Sequence, residues 1–181
     1  MILWSAPVYA GPTAVPGNYK VVMTAGGKTV SENFEIKMDP RVNDVTIPDM
    51  QEKFNLSIQI RDEVSKANEA VIKIRAIKEK INEEAKAKNT TVSKANQALM
   101  MELSSIEENL YQVRNQSSQD PLNFPIKLNN KLASLMRVVE SGDYKPTAGS
   151  YKVFEELKAE LALEINHLDK VLSQKTIKKY L

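Results

Sequence analysis

The chain has 181 residues, 42% of them apolar and 27% charged, a balance that suits a domain with its own core and excludes a disordered polymer. Lys and Arg number 25 against 23 Asp and Glu, and the two signs interleave instead of forming the basic stripe that a nucleic-acid partner would need. Cysteine is absent, which excludes disulfides, thiolate metal sites and a cysteine nucleophile.

The first ten residues, Met1 to Ala10, contain Trp4 and Pro7 but neither a basic start nor a long apolar stretch, and do not read as a signal peptide. No run of about 18 apolar residues occurs anywhere, so no membrane span is expected. Composition changes near residue 45. Before it lie four of the six glycines and four of the eight prolines; after it Ala, Glu, Lys, Leu and Ile dominate. Two units are therefore expected, a β-hairpin segment over 1–44 and a helical bundle over 45–181.

In the first unit, Tyr19 to Ala25 and Lys28 to Lys37 are strand-like runs. Gly26 and Gly27 between them can supply the positive φ values of a two-residue hairpin turn. Pairing across that turn sets Met23 opposite Val30, Val21 opposite Glu32 and Tyr19 opposite Phe34. With Ile36, these share one face; the period of two makes that face apolar, with Glu32 as the dissenter. The other face carries Lys20, Thr24, Thr29, Ser31, Asn33, Glu35 and Lys37, with Val22 as its exception. A lone hairpin is marginal in water, so its apolar face is expected to rest on the bundle or on a second chain, or to continue an incomplete Ig-like domain whose other strands lie elsewhere. Ile2 to Ser5 offers at most one more short strand.

From Pro48 the period becomes helical. Asp49 can cap a helix with Glu52 three residues on, and Phe54, Ile60, Val64, Ala67, Val71, Ile74 and Ile81 form the stripe of one long helix ending near Lys88. After the break at Asn89 to Thr91, a second stripe runs through Val92, Leu99, Leu103, Ile106, Leu110 and Val113. A polar loop with Pro121 and Pro125 precedes a third, of Leu128, Leu132, Leu135 and Val139, ending at Gly142. The last stripe is Tyr151, Phe154, Leu157, Leu161, Ile165, Leu168 and Leu172, with Lys175, Lys178 and Lys179 at its end, where cations suit the helix dipole. The pattern predicts a mostly α protein, an up-down four-helix bundle preceded by a short β-hairpin. Two long coiled-coil hairpins that dimerise would carry the same signature.

Chemistry-bearing constellations are sparse. Glu164 and His167 have the Glu-x-x-His spacing of carboxylate-bridged di-metal bundles, but the chain has a single His, and such a site wants a second pair and two further carboxylates. A solvated helix surface is the expectation for both. Glu83-Glu84, Glu107-Glu108 and Glu155-Glu156 are adjacent and point about 100° apart, so none forms the facing carboxylates of a glycosidase. No nucleophile elbow, triad or phosphate loop is present, and no catalytic residue, cofactor or metal is predicted. Trp4, Tyr9 and Tyr19 cluster in the β segment and could stack on a glycan, although large aromatics are more often spent on burial.

The stretch Gly11-Pro-Thr-Ala-Val-Pro-Gly-Asn-Tyr-Lys-Val, followed by Gly27-Lys-Thr-Val and Phe34-Glu-Ile-Lys-Met-Asp-Pro-Arg, resembles the end of bacterial sortilin-like, BNR-repeat β-propeller proteins classed as glycosyl hydrolases. Phe54-Asn-Leu and Arg61-Asp-Glu-Val-Ser-Lys-Ala-Asn-Glu-Ala-Val look like the start of the helical tail in that family. The resemblance covers residues 11 to 78 and is loose beyond. It implies a secreted or periplasmic setting and an upstream β-propeller as partner, which would carry any hydrolase activity. It therefore implies a noncatalytic scaffolding or interaction module at the C-terminus of a larger protein, with a carbohydrate-binding accessory as the alternative. A homodimer through the β edge is a further partnership suggested by the unpaired strands.

Overall fold

A computed structural model describes residues 11–181. Strands β1 (Gly17–Ala25) and β2 (Lys28–Ile36) form an antiparallel two-stranded sheet, followed by helices α1 (Ile47–Ala87), α2 (Lys94–Leu110), α3 (Leu128–Val139) and α4 (Ala148–Leu172). The mostly α fold, a hairpin preceding a bundle of four helices, is the one the sequence pattern predicts. The hairpin register is also as expected, with Tyr19↔Phe34, Val21↔Glu32 and Met23↔Val30 in one ladder. Gly26 and Gly27 take φ values of 55° and 74°, the left-handed pair that lets a two-residue turn match the twist of its strands.

Helix α1 has 41 residues and is about 60 Å long at 1.5 Å per residue. Its cap lies earlier than the sequence suggests. Thr46 occupies the N-cap and accepts a bond from the Asp49 backbone N–H, while the Asp49 carboxylate accepts from the Thr46 N–H, so Asp49 completes a capping box that Thr46 begins. Ser93 and Thr147 cap α2 and α4 by the single bond that each side chain accepts from the backbone N–H three residues on. The core is built from Leu56, Ile60, Ala67, Ile74, Ile77 and Ile81 of α1, Leu99, Leu103, Ile106 and Leu110 of α2, Leu128, Leu132 and Leu135 of α3, and Phe154, Leu157, Leu161 and Leu168 of α4. Val113 and Tyr151, placed at the ends of two stripes by their spacing, are exposed because Val113 lies beyond the end of α2 and Tyr151 lies in the first turn of α4, off its buried face.

The four helices fill three columns. Lys78 of α1 meets Ser104 of α2, and ten residues back along α1, Asn68 meets Asn129 of α3. The returning chain has advanced twenty-five residues, from 104 to 129, over the same span. About fifteen residues around the 111–127 connection are thus looped out, and α2 and α3 descend in series along α1. Helix α4 then ascends past α3 and α2 in turn, with Glu160 beside Lys131, Glu164 beside Asn109 and His167 beside Glu102.

Of the covers expected for the apolar face, one is ruled out. Neither strand packs against any helix, so the apolar face of the hairpin does not rest on the bundle. Among the described residues, the hairpin is joined to the bundle through the segments at its base.

Candidate functional site

The exposed hairpin is the feature that the bundle does not explain. Val21, Met23, Val30 and Phe34 keep 53%, 60%, 57% and 48% of their surface in water, although alternation places all four on one face. Leaving such side chains exposed forgoes on the order of 1.5 to 3 kcal/mol each. What stabilises the ribbon is local. Its ladder joins nine residue pairs, the Tyr19 and Phe34 rings stack with centroids 5.7 Å apart, and the Thr24 and Thr29 hydroxyls bond at 3.0 Å beside the turn.

The base of the hairpin is tied down on both sides. Ahead of β1, Val15 is buried and its carbonyl accepts from the Tyr19 hydroxyl at 2.6 Å. Thr13 donates from its N–H and its hydroxyl to one oxygen of Glu140, whose other oxygen accepts from Ser57 of α1 at 2.5 Å. A single carboxylate at the end of α3 therefore links the entering leg to two helices. On the leaving leg Arg41 grips Asp39 through its side chain, Val45 is buried, and Tyr144 donates to Asp44 at 3.0 Å. Among the described residues, the arm is thus anchored at its foot, and its strands touch no helix.

The residues singled out from sequence do not converge. Trp4 and Tyr9 lie outside the described residues. Tyr19 is half-buried, with its ring against Phe34 and its hydroxyl on Val15, which leaves little of it to stack on a sugar. Glu164 accepts from Asn109 at 3.0 Å, and His167 Nε2 meets Glu102 at 3.2 Å. Both side chains thus serve as separate links between α4 and α2 instead of forming a ligand pair. Among the described residues no three His, Asp or Glu side chains gather as a metal site would require, and no helix is long and apolar enough to cross a membrane.

Compared with known protein families, curated proteins and solved structures, the chain matches none.

Two further polar clusters are structural in kind. Glu107 of α2 is buried and bonded to Arg75 at 2.6 Å and Lys78 at 3.0 Å, and the Arg75 guanidinium also lies 4.8 Å from the centre of the Tyr111 ring. Burial pushes the Glu107 carboxyl up, but the two cations outweigh it and hold it below the usual carboxylate range. The buried carboxylate in the open groove beside α1 and α2 is thereby compensated.

The second cluster was not legible as such in the sequence. After α4 the 3₁₀ turn Lys175–Tyr180 folds back over the end of the bundle, burying Ile177 and Tyr180. Lys179 at 2.6 Å, Lys88 at 2.5 Å and the Tyr180 hydroxyl all donate to Glu84, and Lys80 donates to the Tyr180 carbonyl at 2.9 Å. Lys179, Lys88 and Tyr180, in that order, lower the Glu84 pKa to about 2. The signal was the three-residue spacing of Ile177 and Tyr180, the period of a 3₁₀ turn.

Proposed function

We propose that this chain is a noncatalytic interaction module in which the bundle is the scaffold and the anchored hairpin is the part that docks. The observation that carries this reading is the uncovered apolar face of Val21, Met23, Val30 and Phe34 on an arm whose base is fixed. A face of alternating apolar residues is the inner surface of a two-layer β structure, and its natural complement is a second β layer. Together with the resemblance of residues 11 to 78, this points to an Ig-like layer of a larger secreted or periplasmic protein of the sortilin-like β-propeller type. The engagement of His167 and Glu164 in links between helices supports a role without turnover.

The test begins with the reading frame upstream of Met1. The proposal expects it to continue into a β-propeller with adjoining strands, and the polypeptide so encoded to bind this chain in titration calorimetry. Phe34→Lys should weaken that binding at least about tenfold, as loss of a central apolar contact does. A frame without such a region, or binding indifferent to Phe34→Lys, would count against it.

A further inference from the structure

We infer that residues 140–144, at the start of the α3–α4 connection, are the seat that sets the direction of the hairpin arm, and that Lys53 and Ser57 of α1 are positioning residues beneath that seat. The seat works whatever the hairpin docks against, so measurements of partner binding neither support nor sink it.

Each leg of the arm meets this short segment. Glu140, the C-cap of α3, accepts from the Thr13 N–H at 3.3 Å and from the Thr13 hydroxyl at 2.7 Å on the entering leg. Tyr144, four residues on, donates to Asp44 at 3.0 Å on the leaving leg. Among the described residues the strands themselves touch no helix, so the direction of the ribbon is decided at its foot. Each strand has nine residues and reaches about 30 Å at about 3.3 Å per residue, so a turn of about 10° at the foot moves the tip by about 5 Å.

The seat is in turn held from α1. Lys53 is 3% exposed, and its ammonium donates to the Gly142 carbonyl at 2.9 Å and lies 3.4 Å from an Asp143 oxygen. Ser57, one helical turn on and fully buried, donates to Glu140 at 2.5 Å. A buried lysine is costly, and a carboxylate at the C-terminal end of a helix opposes the helix dipole. Both costs are offset by the bonds of this one segment. Gly142 and Asp143 lie between Glu140 and Tyr144 in the chain, so a change at Lys53 reaches both legs through the backbone, although Lys53 bonds to neither leg among the described residues.

The chain has no cysteine, so spin labels can be placed at Lys28→Cys beside the hairpin turn and at Asp62→Cys on the exposed side of α1, and the distance between them read by pulsed electron paramagnetic resonance. The parent should give one narrow distance peak. Glu140→Ala combined with Tyr144→Phe strips the seat of both arm contacts without touching the apolar core, and should broaden the peak at least about twofold, given the length of the lever, while the bundle still melts cooperatively. Lys53→Met should broaden or displace the same peak, and Ser57→Ala, a smaller change, tests the same support if Lys53→Met does not fold. A double variant as narrow as the parent would mean that the buried Val15 and Val45 aim the arm without the connection, and a parent as broad as the double variant would mean that nothing aims it; either result overturns the inference. If the double variant broadens while Lys53→Met and Ser57→Ala keep the parent's peak, the role given to α1 is overturned.

Discussion

The bundle and the hairpin obey the same rule of alternation and end in opposite states. In the bundle every stripe finds a facing stripe. Leu103, Leu161 and Ile106 are fully buried, and even the end of the chain is held down by Ile177 and Tyr180. In the hairpin a stripe of equal quality, with period two instead of 3.6, faces water, and the ribbon persists on its ladder, its glycine turn and its anchored base. Amphipathic patterning therefore specifies that a face wants cover, but not what covers it.

The sharpest way to break this contrast is to charge the bundle core. Leu103→Asp or Leu161→Asp should cost about 3 to 5 kcal/mol in chemical denaturation, since each buries an unpaired carboxylate. Two variants that melt with the parent would mean that the stripes do not face a core.

A smaller effect is expected at the end of the bundle. Glu84 titrates near 2 in the folded chain against an ordinary 4.5, so its contribution is complete above about pH 4.5 and is lost as pH falls through about 2. The Tyr180 ring signals in an NMR titration should therefore keep their docked positions well below pH 4.5 and move near pH 2. A midpoint at 4.5 would mean that Lys179 and Lys88 do not hold the carboxylate. The hairpin should respond to neither perturbation directly, because neither strand packs on a helix.

How far these features were legible from sequence follows from the range of the interactions involved. The hairpin register was readable because Gly26-Gly27 fixes the turn and the turn fixes every pair. The helix spans were readable from the spacing of Leu103, Ile106 and Leu110 or Leu157 and Leu161. The series arrangement of α2 and α3 was not, because a stripe carries no direction and the looped-out residues around 111–127 leave no periodic trace. Asp49 reads as a cap in the sequence, although Thr46 performs that role, because both ends of a capping box are polar residues three apart. Glu140 could not be found from sequence at all: it links Thr13 to Ser57 across more than 80 residues on one side and more than 120 on the other. The candidate site is therefore half local and half long-range, with its face visible in the sequence and its anchorage hidden.

The most direct measurement is solvent relaxation of methyl signals by a soluble paramagnetic agent in the dilute, isolated chain. The account predicts strong relaxation at Val21, Met23 and Val30, with Leu103 and Leu161 protected. Hairpin methyls as protected as those of the bundle would show that the chain covers the face itself, and would contradict the account.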